Sequence, residues 1–493
     1  MPSKRQPSSA DPKKKANVES VETSRGRKRK AEKKDTSTID SFKKSHKRQK
    51  DHQFKNNVPT KVLDVYVFGT NCYGELGLGD LTKKSEILRP VLNQKLAAHT
   101  VGVVHVAVGG VHSVALTHDN QILTWGVNDE GTLARDTKAD KDTDNAQNAN
   151  GDAGSSEDSD DDDVLINLKE ATPMPVDSSY FPQGTVFAQL AASDSATFAL
   201  TVDGLVYGWG NFRGSSGSVG FSLESKKEQR IPTLILGLEN VTKIVAGAQH
   251  ILALTSKGTV FSWGCDEQHQ LGRRRASPRQ RPPHPRTPYQ CALPPGICDI
   301  GVGLYHSFAV HTHGVVYGWG SNNFGQTGIS TTAGQNDAMI PFPSEIRAFR
   351  NHGALVSIFG GKDHSIAVTE SGKCLAWGRI DNKALGLGLK DMAPSDVIHD
   401  EYDRPRILTQ PTLLRGIDGR VVFAASGTDH SFAVTDSGKG YSWGFNAQSQ
   451  AGQVGLDEVE TPTLLQSKSL EGKKLASAAA GGQFSMVVGL ANW

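Results

Sequence analysis

Cysteine is scarce in this sequence and never paired at short range: five in 493 residues (Cys72, Cys265, Cys291, Cys298, Cys374), with no C-x-x-C. That usage excludes a disulfide framework and a thiolate zinc site, and it suits a reducing compartment. Long apolar runs are missing too. No stretch of 18 apolar residues exists, so no membrane-spanning helix is expected, and no apolar run follows the first charges as in a signal peptide. Aromatics make up only 7%. Among motifs with chemistry, G-x-x-x-x-G-K-[ST], H-E-x-x-H and G-x-S-x-G are all absent. The expectation is a soluble intracellular protein that performs no covalent chemistry and carries no cofactor and no metal.

Charge is nearly balanced, at +2, but unevenly placed. Residues 1–57 hold 18 Lys and Arg against 7 Asp and Glu, leaving a net charge of −9 on the remainder. The first 57 residues have too few apolar side chains to offset the entropy of ordering, so they read as a disordered basic tail. Its clusters, Arg25-Gly-Arg27-Lys28-Arg29-Lys30, Lys33-Lys34 and Lys13–Lys15, have the composition of a nuclear-import signal or a DNA-binding arm. Only Phe42 and Phe54 are aromatic there, so binding through phosphates rather than base stacking is expected.

What the chain has in plenty is glycine, 52 residues, much of it in register. Residues 244–272 read IVAGAQHILALTSKGTVFSWGCDEQHQLG, and 300–328, 358–386, 424–452, 106–134 and 190–218 repeat the phrase. An aromatic-Gly step falls at Gly69, Gly126, Gly210, Gly264, Gly320, Gly378 and Gly444, seven copies spaced 54 to 84 residues apart. The A-x-G-x-x-H-S segment and the following TV-x-x-WG segment each read as a buried strand. Between them a turn ends in Gly (Gly204, Gly258, Gly314, Gly372, Gly438) or Asn120, residues that tolerate positive φ. Short antiparallel sheets repeated radially predict an all-β, seven-bladed β-propeller over 58–493. The first copy (65–79) carries only the second half of the phrase and the C-terminus (478–490) only the first half. The ends should therefore complete one blade together and close the ring.

The 84-residue spacing holds an acidic insertion, about 137–170, and a basic, proline-rich loop occupies 273–288. Both read as surface loops. Trp125, Trp209, Trp263, Trp319, Trp377 and Trp443 recur in register and are expected to wedge between blades. His112, His250, His306, His364 and His430 are too far apart around a ring to share a metal ion; they are expected to bond nearby backbone, some of them at the ring's open end. The third copy breaks the pattern: after Trp209-Gly210 comes Asn211-Phe212-Arg213-Gly214-Ser215-Ser216-Gly217-Ser218, where others have a tight N-x-x-G-Q-L-G-like turn. This segment is expected to project from the rim.

These repeats resemble those of the regulator of chromosome condensation family, the guanine-nucleotide exchange factors of the small GTPase Ran. The resemblance covers about 58–493. It implies that 211–217 form the β-wedge that pushes into the GTPase near its nucleotide, and that Asp194 stands where the family has an exchange-critical Asp. Arg273, Asn323, His364 and Gln249 match GTPase-facing positions, with Gln249 in place of an Asp; Cys72 and Phe484 replace an Asp and a His. Arg274 and Arg275, in the loop at 273–288, lie where family members touch the nucleosome. The implied protein is nuclear and chromatin-bound, serving nucleocytoplasmic transport and mitosis, with Ran, nucleosomal DNA and import receptors as partners and no membrane; a monomer is expected. The alternative is a propeller scaffold without exchange activity.

Overall fold

In each repeat the His-Ser-x-Ala-Val phrase is apolar or small on both sides of the strand, which suits a strand buried on both faces. The computed structural model describes residues 54–138, 167–215, 217–221, 228–273 and 284–491. In it, these phrases are the fully buried second strands of seven antiparallel sheets, such as His112–Thr117 and His364–Thr369. The outer strands are more exposed, as in Glu86–Leu92, where Leu88 and Arg89 face solvent.

Numbered in the order of the copies, blades 2 to 7 begin at Val103, Phe187, Val241, Ile297, Leu355 and Val421. Blade 1 is assembled from both ends of the chain, in the order Glu86–Leu92, Leu63–Thr70, Phe484–Leu490, Leu475–Ala480. Leu63 pairs with Leu490 and the register runs unbroken to Gly69 opposite Phe484. The expected split-blade closure is therefore present. Turn chemistry also follows the sequence: Gly204, Gly258, Gly314, Gly372 and Gly438 have φ of 70–85°, and Asn120 takes φ 68° in the copy that lacks the glycine.

Blades differ at their outer edge. Those of blades 2 and 4 are only Met174–Pro175 and Tyr289–Gln290, while blade 6 adds Val397–His399 as a fifth strand. Near the acidic insertion the chain is shaped at both ends. Thr137 bonds Glu170, and Leu168–Ala171 form a four-residue helix capped by Asn167. No helix among the described residues is long and apolar enough to cross a membrane.

Candidate functional site

The seams between blades show why one blade is different. At four seams, a carbonyl of one blade's loop accepts both a Trp indole N–H and a Ser or Thr hydroxyl of the next blade, and a His of the first blade bonds that same hydroxyl. At the seam of blades 5 and 6, Trp377 and Ser365 reach the Gln326 carbonyl at 3.1 and 2.8 Å, and His306 Nε2 lies 2.7 Å from Ser365 Oγ. His112, His250, His364 and His430 bond Thr197, Ser307, Ser431 and Ser485 in the same way, at 2.8–2.9 Å. All five rings are buried, and each Nε2 meets a hydroxyl of the next blade rather than the nearby backbone expected from the sequence, although His112 also bonds the Asp194 backbone. Because the hydroxyl donates to the carbonyl, it accepts from Nε2–H, and the buried Nδ1 of His250, His306 and His430 has no partner for a second proton, which favours the neutral ring. Burial agrees, holding these imidazoles down to about 3 or 4. The glycine three residues before each His makes room for the ring: a Cβ on Gly303 would lie 2.1 Å from His306 Cε1.

The seam of blades 3 and 4 has none of this. Ala196 stands for the His, Ile251 for the Ser, and Ser193 for the glycine that no longer has a ring to accommodate. The Trp263 indole N–H has no partner. The loop that would supply its carbonyl is the irregular segment after Gly210. Four rings fill the space instead: Phe212 and Phe221 stack at 5.6 Å, and Phe198 lies 5.9 Å from both Phe221 and Trp263. Polar fastening moves elsewhere, to the Gln189 amide, which exchanges two hydrogen bonds with Ile244, and to Asn56, whose amide donates to Thr201 and Val241 carbonyls.

Above this seam the segment forms a two-stranded ribbon, Arg213–Gly214 with Gly217–Ser218. It borders a depression of about 920 Å³ whose lining includes Asp194, Gln249, Tyr305, Asn323, Asp363 and Arg379. Gly110, Asp194, Leu304, Thr428 and Gly482 line both this depression and the central channel, so Asp194 stands at the mouth of the channel. Its backbone N–H is pinned to the Ala248 carbonyl. Burial pushes the Asp194 carboxyl up to about 6, against a hydrogen bond from Gln249. Asp363 is also raised by burial, with Arg379, 3.3 Å away, opposing the shift. Arg379 in turn lies 4.8 Å over the Phe324 ring. Half-buried acids beside a donor-rich ribbon make a surface suited to gripping a protein.

The residues expected at this site divide into two groups. Asp194, Arg213, Gly214, Ser215, Gly217 and Asn323 come together around the depression. Asn211 and Phe212 do not project: they are 1% and 0% exposed and anchor the ribbon, Phe212 in the ring cluster and Asn211 through Gly220 N–H and Ser218 Oγ. His364 is likewise out of a partner's reach, 1% exposed and bonded to Ser431 in the seam. Arg273 points inward, its guanidinium donating to the carbonyls of Ser262, His284, Pro285 and Thr287. Burial lowers it to about 10. Gln249 is 9% exposed and its Oε1 accepts the Arg213 N–H at 2.6 Å, so it links Asp194 to the ribbon. Phe484 is buried over Gly481, filling the volume of the missing His, and the half-buried Cys72 thiol faces the Ser85 carbonyl. Arg25, Arg27, Lys28, Arg29, Lys30, Ser216, Arg274 and Arg275 lie outside the described residues. Sequence reasoning missed Glu130 and Glu267, which bond the ribbon from either side; as acids in polar turns they carry no distinguishing pattern.

A closed ring of seven antiparallel blades, with one blade's turn rebuilt as a ribbon beside the channel mouth, defines a propeller-type binding protein. The RCC1-like domain model matches residues 64–487, and the chain belongs to that family. It is 39% identical over 436 residues to Protein pim1 of Schizosaccharomyces pombe, covering 88% of this chain and 76% of that one. It is 33% identical over 438 residues to the guanine nucleotide exchange factor SRM1 of Saccharomyces cerevisiae, covering 87% of each. Among solved structures it resembles Prp20p of Saccharomyces cerevisiae, described with its binding to Gsp1p and histones. That match has a TM-score of 0.76 and 30% identity, covering 88% of this chain and 93% of that one.

Proposed function

We propose that this protein is a guanine-nucleotide exchange factor for the small GTPase Ran and that it grips the GTPase with the face carrying the ribbon. The observation that carries this reading is the placement of the ribbon beside half-buried Asp194 at the channel mouth. Likeness to the exchange factor SRM1 supports it. No covalent step is involved. A partner that binds the nucleotide-free GTPase tightly must, by linkage, weaken nucleotide binding by the same factor. Each tenfold weakening takes ~1.4 kcal/mol of contacts made only in the open state. The ribbon, 213–217, displaces the elements that hold phosphate. Asp194 and Asn323 accept groups freed from the nucleotide, while Asn211, Phe212, Gln249, His364 and Arg273 act from behind by fixing the surface.

Histone binding by Prp20p supports a chromatin-bound, nuclear protein, with the basic tail and Arg274 and Arg275 meeting nucleosomal DNA or its acidic surface. Six phosphate contacts would give a log–log salt slope near −5. The tail clusters also suit an import receptor.

The test is release of fluorescent GDP from Ran with catalytic amounts of this protein. Acceleration that is lost in Asp194→Ala is expected; unaltered release by the wild-type protein would leave the scaffold reading. The raised Asp194 carboxyl adds a pH signature: exchange should decline as pH falls through about 6. Asp194→Asn, uncharged throughout, should be slow and lack that limb.

A further inference from the structure

The ribbon has little to hold it in shape by itself. Two residue pairs, Arg213 with Ser218 and Gly214 with Gly217, join its strands, with one more bond from Val219 N–H to the Phe212 carbonyl at its base. A ribbon of this size has no independent stability in water. Gly217 sits at φ 105° with nothing within 4 Å of where a Cβ would be. Its conformation must therefore be imposed by neighbours.

Besides Gln249, which accepts the Arg213 N–H at 2.6 Å, two carboxylates hold it, one from each flanking blade. Glu130, in blade 2, accepts the Asn211 amide at 2.6 Å and lies 3.4 Å from the Arg213 guanidinium. Glu267, in blade 4, accepts the Ser215 N–H with both oxygens at 3.0 Å and the Ser215 hydroxyl at 2.9 Å. The chemistry matches: the ribbon presents only donors at these points, and an ionised carboxylate only accepts. Both acids stand in turns whose carbonyls, at Thr132 and Gln270, also serve the seam with the next blade, so the ribbon of blade 3 is strung between the two blades beside it.

We propose that Glu130 and Glu267 are positioning residues that preorganise the ribbon for the GTPase. The idea rests on the exchange reading for its consequence but not for its geometry. A ribbon already in its working shape loses less conformational freedom when it engages, so the gain appears in the step after encounter.

Amide hydrogen exchange of the free full-length protein, followed on the peptide containing 213–218, tests the geometry without any partner. Glu267→Ala and Glu130→Ala should speed exchange there by about fivefold, the worth of one partly exposed hydrogen bond, with seam amides unchanged. Glu267→Gln keeps one acceptor oxygen and should fall between, and it serves if the Ala variant folds poorly. In GDP release, kcat should drop by roughly three- to tenfold while KM stays within about twofold. Unchanged ribbon exchange in both Ala variants would overturn the proposal, and so would faster ribbon exchange with kcat unaltered. If wild-type protein does not release GDP, the exchange reading fails while the hydrogen-exchange result still decides the latch.

Discussion

Trp319 and Trp263 occupy the same place in adjacent seams and are equally buried, at 0% and 1% exposed, yet only Trp319 has a partner, the Gln270 carbonyl at 2.8 Å. Phenylalanine keeps most of the packing and removes the N–H. Trp319→Phe should therefore cost about 1 kcal/mol more than Trp263→Phe, because it breaks a buried hydrogen bond while Trp263→Phe removes an N–H that has none. Paired urea denaturation curves measure the difference. The seam histidines give a second residue-scale expectation. Their folded pKa values, about 3 to 4, lie below the unfolded value of ~6.5. The unfolded chain thus binds more protons between those limits, so stability is full above pH ~6.5 and falls as pH drops toward 4. Urea midpoints between pH 7.5 and 4.5 should show this, and His306→Asn, with one site fewer, should flatten the slope. The glycine and the His were legible in the sequence as a repeated pair, and Ser193 and Ala196 depart together in the copy that lacks them. That the pair serves a hydroxyl in the next blade was not legible, since His306 and Ser365 are 59 residues apart.

At the scale of the element, Arg273 shows how a chemically apt surface residue becomes a clasp. Blade 4 has a two-residue outer strand, too short to hold by ladder bonds, and the guanidinium fork ties the approach to that strand onto Ser262. Arg135 repeats the device in blade 2, which has an equally short outer strand, donating to Thr124 and Thr172 carbonyls. Arg273→Ala should cost about 1–3 kcal/mol by leaving buried carbonyls unpaired. It should also expose the chain around 284–290 to proteolysis, and Lys should not rescue it, because a single ammonium cannot span the same acceptors. Intact Tyr289–Gln290 protection in the Ala variant would refute the clasp. The sequence placed the ribbon correctly from its small residues and its broken turn. It could not place Phe212 inward, because the ring cluster draws Phe198 and Phe221 from the same blade but Trp263 from the next.

For the whole molecule, ring closure is the decisive contact. In an open array each repeat touches only its neighbours and the terminal ones fray. Here Leu63–Thr70 lies between Phe484–Leu490 and Glu86–Leu92, so the first strand is inserted into the last blade. Truncation after Gly482 removes the partner of that strand along its whole length and exposes the apolar cluster that includes Val65, Val67 and Trp125. The truncated chain should lack the single cooperative unfolding transition expected of the intact ring, read by circular dichroism during heating; a retained sharp transition would mean that the ring closes without its last strand.

Period, blade number, turn positions and the split blade were determined by the sequence alone, because hairpin turns and strand patterning depend on residues close together along the chain. Which polar side chains face a partner and which face the protein was decided only in the tertiary structure. The seams join residues 35 to 85 positions apart, such as Ser485 with Gln450 and His112 with Thr197. A histidine, an arginine or a glutamine there meets acceptors that no local pattern reveals, and burial with satisfied hydrogen bonds wins over exposure to solvent.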